Sequence, residues 1–71
     1  MTNTYLLEDL IKKSGLKKQY LAKGLGLTPE SFSRKVQGKN EFKVSEMQVL
    51  CDLLGIDDWN LRERVFLNGR G

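Results

Sequence analysis

The chain has 71 residues, of which 39% are hydrophobic and 30% charged, and its formal net charge is +3. These values predict one small globular domain, placed at residues 1–67 with a disordered tail at 68–71, and no apolar run is long enough to predict a membrane partner. One cysteine and no histidine exclude an intramolecular disulfide, a zinc site and catalysis that depends on histidine.

Apolar residues recur at helical spacing along the chain, and no segment alternates as a half-buried strand would. The sequence therefore predicts an all-α fold with five helices. The first begins after a cap at Asn3 or Thr4 and ends at Gly15, which suits a left-handed C-cap. The second is predicted at 18–25 and is stopped by Gly26.

The third helix is predicted at 28–37. Thr28 is a good N-cap, and Pro29 loses no hydrogen bond at the first helical position. Phe32 and Val36, four residues apart, form the apolar pair that should face the core.

The fourth helix ends at Gly55, but its start is open. Ser45 with Gln48 would form a capping box, whereas a helix that includes Val44 would move the cap back to Lys43. The apolar stripe expected to face the core consists of Val44, Met47, Leu50, Cys51 and Leu54.

A shorter fifth helix is predicted at 58–65, with Asp57 or Asp58 as its cap. Trp59 and Phe66 are its large aromatic residues. Two interpretations of this pair stay open: the residues complete the core of the monomer, or they form a patch that contacts a second copy or a partner protein.

The basic residues are concentrated in one part of the sequence. Between positions 12 and 43 there are nine basic and two acidic residues, whereas from position 44 onward there are three basic and five acidic residues. Such a distribution is typical of a nucleic-acid-binding protein, although a solvated lysine-rich face has the same composition. No Asp/Glu pair is set among apolar residues as a catalytic dyad requires, so the sequence predicts no enzyme, metal or cofactor.

The segment 18–33 has the pattern of two helices joined by a tight turn. Ala22 is small where the helices must approach, Gly26 tolerates positive φ, and Leu27 can fill the gap between the helices. The informative motifs are Leu21-Ala22, Gly26-Leu27-Thr28-Pro29, Phe32-Ser33, Gly38-Lys39 and Leu53-Leu54-Gly55-Ile56.

On these motifs the chain resembles the Cro and repressor family of phage-type helix-turn-helix domains, over roughly residues 6–66. The resemblance implies a five-helix fold, a cytoplasmic protein of a prokaryote or a phage-infected cell, and a homodimer bound to a double-stranded DNA operator. Two positions depart from the family's pattern. Gly24 interrupts the second helix, and at Lys35 and Val36 the apolar residue comes one position later than in many members.

The resemblance places the third helix in the major groove and assigns its first turn and outward face to the bases. Those base-reading candidates are Pro29, Glu30, Ser31, Ser33 and Arg34. Arg34 is favoured because a guanidinium can bind O6 and N7 of guanine, whereas Glu30 either accepts from a cytosine amino group or partners the helix dipole. Phosphate contacts are expected from Lys18, Gln19, Thr28, Lys35, Lys39, Asn40 and Lys43.

Two functions fit this sequence. The first is a sequence-specific transcriptional repressor that binds a near-palindromic operator as a dimer. The second is a protein-binding modulator or antirepressor that docks on another phage repressor. The second is suggested by the position of Glu30 beside DNA and by the scarcity of Gln and Asn on the reading face.

Overall fold

The computed structural model describes residues 2–66. Its five helices, which confirm the predicted all-α fold, are α1 (Thr4–Ser14), α2 (Lys18–Gly24), α3 (Pro29–Val36), α4 (Val44–Leu54) and α5 (Trp59–Phe66). Among the described residues, no helix has the length and apolar character needed to cross a membrane. The predicted domain end at residue 67 and the tail predicted at 68–71 lie outside the described residues.

Side-chain caps set the starts of α1 and α3. The Asn3 side-chain oxygen accepts a hydrogen bond from the Leu6 N–H at 3.1 Å, so the cap of α1 is Asn3 rather than Thr4. At α3, Thr28 Oγ1 accepts from the Ser31 N–H at 3.1 Å. Each bond satisfies one of the amides that a helix leaves unpaired in its first turn.

The start of α4 follows the second of the two predicted alternatives. Lys43 is the N-cap residue, and its backbone N–H donates to Glu46 Oε1 at 2.9 Å. The alternative cap at Ser45 is therefore wrong. Val44 was predicted to face the core, but 69% of it is exposed. The buried residues of α4 are Leu50 and Cys51, so its core contact begins only beyond the first turn.

An aromatic cluster forms the part of the core that holds α3. The Phe42 ring lies 6.3 Å from Phe32 and 5.5 Å from Phe66 in edge-to-face geometry, an arrangement that stabilises beyond simple area burial. Phe32 and Val36 are fully buried, which fixes one face of α3 onto the domain as the sequence predicted.

The structure separates the two aromatic residues of α5. Phe66 is only 7% exposed and lies in the core of the monomer, whereas Trp59 is 74% exposed. Phe66 therefore completes the core of the monomer. Of the two residues, only Trp59 is exposed enough to contact a second copy or a partner protein.

The turn between α2 and α3 has the predicted construction. Ala22 is buried, its carbonyl accepts from the Leu27 N–H at 2.9 Å, and Gly26 has a φ of +74°. Gly24 ends α2 one residue earlier than predicted. A Cβ at position 24 would lie 2.8 Å from Leu53 Cδ1, so glycine permits a close approach of α2 to α4.

The first and last helices are joined by a backbone hydrogen bond. The N–H of Asn3 donates to the carbonyl oxygen of Val65 at 2.6 Å. This contact holds α5 against the start of α1 and closes the helical arrangement.

Candidate nucleic-acid interface

Helix α3 has one buried face and one outward face. While Phe32 and Val36 anchor it, the base-reading candidates Pro29, Glu30 and Arg34 are exposed. Eight residues make about two turns, which is enough to present this face to a groove. Burial thus separates Phe32 and Val36 from these three candidates.

Arg34 and Glu30 have uncommitted side chains. Within residues 2–66, neither side chain forms a hydrogen bond or an ion pair. The Arg34 guanidinium, with its five N–H donors, is therefore available for an acceptor outside the domain. Glu30 lies in the first turn of α3, where the helix dipole favours a negative charge.

The two serine candidates are less accessible, and both are half-buried. Gln37 Nε2 donates to Ser33 Oγ at 3.2 Å, so Ser33 already has one partner. Gln37 was not among the residues predicted to contact DNA. Its spacing of four residues from Ser33 was the available indication that the two side chains meet.

The loop after α3 carries three of the predicted phosphate contacts, Lys39, Asn40 and Lys43, all of which are exposed. The backbone N–H groups of Lys39 and Asn40 donate to the carbonyl oxygen of Arg34 at 2.9 and 3.4 Å. The loop is therefore fixed to the last turn of α3, and Lys39 and Asn40 keep a defined position beside the reading helix.

Lys35 does not fit the phosphate role that the resemblance implied. Its Nζ lies 2.6 Å from Glu46 Oε1, and the two side chains are only 12% and 11% exposed. A lysine covered in this way and neutralised by a carboxylate is a poor phosphate ligand. A contact between residues 11 positions apart in different helices has no local pattern, so the amino-acid sequence alone does not indicate this ion pair.

The same contact determines the ionisation of Glu46. Burial alone would raise the pKa of its carboxyl group. The hydrogen bond from Lys35, the bond from the Lys43 N–H and the charges of both lysines outweigh burial and hold the pKa below its ordinary value of 4.5. Glu46 is therefore ionised wherever the domain would meet DNA.

The remaining phosphate candidates lie at the starts of α2 and α3. Lys18 Nζ is 3.0 Å from Glu8 Oε1, but both side chains are 44% exposed, so Lys18 can exchange this partner for a phosphate at small cost. Gln19 and Thr28 are exposed. Thr28 Oγ1 accepts the capping bond and can still donate its hydroxyl proton.

A separate apolar groove of about 220 Å³ lies between α4 and α5, with Met47, Cys51 and Trp59 among its lining residues. Arg62 contacts Trp59 at one side of the groove and is itself bonded to the backbone. Its guanidinium lies 5.6 Å from the centre of the Trp59 ring, and its Nε donates to the Ile56 carbonyl at 2.9 Å.

In the part of the chain that the structure describes, no group of three or more potential metal ligands is present.

Comparison with protein families gives a match to the Cro/C1-type HTH DNA-binding domain over residues 7–57. The matched range covers most of the chain and contains α2, α3 and α4 completely. Comparisons with curated proteins and with solved structures gave no significant match.

Proposed function

This chain belongs to the family of Cro/C1-type helix-turn-helix DNA-binding domains, and from that membership we propose that it is a sequence-specific transcriptional repressor. In this proposal α3 enters the major groove of a DNA operator. The observation that carries the proposal is the uncommitted guanidinium of Arg34 on the exposed face of a helix whose opposite face is fully buried.

The proposed contacts divide into two classes. Base edges are read by Arg34, with Pro29, Glu30, Ser31 and Ser33 around it. The phosphates are held by exposed residues on both sides of α3, which fix the position of the helix but carry no sequence information. They are Lys18, Gln19, Thr28, Lys39, Asn40 and Lys43.

A homodimer is the proposed DNA-bound form, because two copies of α3 can then read half-sites about one helical turn apart. Trp59 is the candidate contact between copies, since it is a large aromatic side chain that is 74% exposed and borders an apolar groove between α4 and α5.

A binding titration tests the main proposal. The probes are the duplex that the protein enriches from a randomised pool and a shuffled duplex of the same base composition. We expect a clear preference for the enriched duplex. For a dimer with roughly 6–10 phosphate contacts, we also expect log K to fall against log salt with a slope of about −0.9 per contact. Equal affinity for both duplexes would contradict sequence-specific reading.

Trp59 and its groove also favour a second candidate function, a modulator that docks on another repressor. Light scattering separates the two. A repressor gives the mass of a dimer, on its own or on the enriched duplex. A modulator stays monomeric, does not bind either duplex at low salt, and forms a stoichiometric complex with a repressor protein.

A further inference from the structure

One carboxylate oxygen joins the reading helix to the helix that follows it. Glu46 Oε1, in the first turn of α4, accepts from Lys35 Nζ at 2.6 Å and from the Lys43 backbone N–H at 2.9 Å. Lys35 lies in the last turn of α3, and Lys43 is the residue before α4. The last turn of α3 and the N-terminal cap of α4 therefore meet at a single atom.

We propose that Glu46 is a positioning residue for DNA reading, which fixes the rotation of α3 and the place of Lys43 beside it. The proposal rests on the proposed function, since it concerns how the same site distinguishes one DNA sequence from another. Glu46 itself does not touch DNA in this proposal and acts through Lys35 and Lys43.

The packing of α3 explains why such a device is needed. Phe32 and Val36 lie on one face of a helix of only two turns. Their burial anchors one face of the helix to the core, so a contact from a second direction at its last turn adds restraint against rotation about the helix axis. Lys35 lies beside Arg34 in the last turn, so its bond to α4 resists that rotation at the position where the reading guanidinium leaves the helix. Bidentate contact with guanine depends on direction, so a small rotation removes discrimination.

The burial of the contact makes it strong enough for this role. Both side chains are close to nine-tenths covered, and hydrogen bonds between ionised groups are roughly twice as strong as neutral ones. The exposed pair Lys18–Glu8, at 44% exposure for both side chains, lacks this shielding and serves as an internal comparison.

Charge gives the proposal a distinctive consequence. Glu46 neutralises Lys35, so Lys35 contributes geometry rather than attraction for phosphate. Replacing Glu46 by Gln keeps an acceptor for the Lys43 N–H but removes the charge that holds Lys35. The variant should therefore bind the shuffled duplex more tightly, while it distinguishes sequences less well.

The experiment compares Glu46→Gln with the matched control Glu8→Gln, which also removes one carboxylate from a lysine but at a site away from α3. For each variant, affinity is measured for the enriched duplex and for the shuffled duplex at two salt concentrations. Thermal unfolding followed by circular dichroism identifies the temperature range in which every variant is folded.

We expect both variants to bind the shuffled duplex more tightly and with a steeper salt dependence. In Glu46→Gln the preference for the enriched duplex should fall about tenfold, the loss typical of one mismatched base pair, and in Glu8→Gln it should stay within about twofold of the wild type. A purely structural role would weaken binding to both duplexes equally and leave the preference unchanged.

Lys35→Met provides an independent test that remains informative if Glu46→Gln is poorly folded. It removes the same contact from the other side and leaves an unpaired carboxylate, so binding to both duplexes should weaken and the preference should fall. A preference equal to the wild type's in a folded Lys35→Met or Glu46→Gln protein would overturn the inference alone. A wild-type protein that prefers neither duplex would overturn the proposed function together with it.

Discussion

Gly24 in α2 and Leu53 in α4 are so close that a Cβ at position 24 would lie 2.8 Å from Leu53 Cδ1. A glycine in a helix interior costs about 1 kcal/mol relative to alanine, and Gly24, the last residue of α2, costs at most that much. This cost is offset by the close approach of the two helices. The departure from the family pattern at Gly24 thus has a packing explanation.

The first prediction concerns this pair. We expect Gly24→Ala to stabilise the domain by up to about 1 kcal/mol when Leu53 is Val, because the δ-methyl is then absent and helix propensity decides. With Leu53 present, overpacking should cancel or reverse that gain. Urea unfolding of the four proteins of this double-mutant cycle measures the difference. The same gain in both backgrounds would show that Leu53 moves aside freely.

The second prediction concerns Arg34. We expect Arg34→Ala to weaken binding to the enriched duplex by about 1–3 kcal/mol, the range for a bidentate contact with guanine, and to affect the shuffled duplex far less. Lys39→Ala is the matched control, because loss of a phosphate contact weakens binding to both duplexes alike. If the two variants gave the same pattern in a titration, Arg34 would be a phosphate contact rather than a base reader.

The third prediction concerns acid stability. Because the folded protein holds the pKa of Glu46 below 4.5, its carboxylate stabilises the fold above that pH, and the contribution is lost as the pH falls through the folded pKa. Wild-type protein should therefore be more stable than Glu46→Gln near neutral pH, and the difference should narrow as the pH falls below 4.5 and through the lower pKa of the folded state. Urea unfolding across this range measures it, and a constant difference would be inconsistent with the ion pair.

The fourth prediction separates the two aromatic residues of α5. We expect Phe66→Leu to lower the free energy of unfolding by about 1 kcal/mol or more, since it removes the edge-to-face contact with Phe42. Trp59→Ser should cost less than about 1 kcal/mol, because Trp59 is 74% exposed and the substitution removes its contact with Arg62 and its part in the groove lining. Thermal unfolding of the monomer at low concentration compares them. A large loss for Trp59→Ser would place that residue in the folding core.

The sequence predicted the helix ends well because the chemistry that sets them is local. Asn3, Thr28 and Gly15 act on amides or carbonyls within a few residues, so each can be identified from its neighbours. Burial of Phe32 and Val36 followed from their spacing on α3.

The sequence predicted less about the candidate site, because its decisive contacts lie between helices. From the sequence, Lys35 is one of several cations in a basic segment and is predicted to contact phosphate. The fold places Glu46 of α4 beside it, and the two form an ion pair. Val44 has the spacing of the apolar stripe of α4, but it is exposed. Spacing alone does not show how far along α4 the other helices cover that stripe. Such contacts depend on tertiary geometry, which a periodic pattern does not contain.

The bond from the Asn3 N–H to the Val65 carbonyl has a consequence for how the chain folds. Helix α2 packs on the neighbouring α3 and on α4, and α1 packs on α3, α4 and α5. Of these, the contact between α1 and α5 spans the greatest sequence separation, because the Asn3–Val65 bond closes nearly the whole described chain into a ring. We therefore expect the docking of α5 on α1 to form after the folding transition state. Substitutions at the contact between α1 and α5 should increase the unfolding rate and leave the refolding rate almost unchanged.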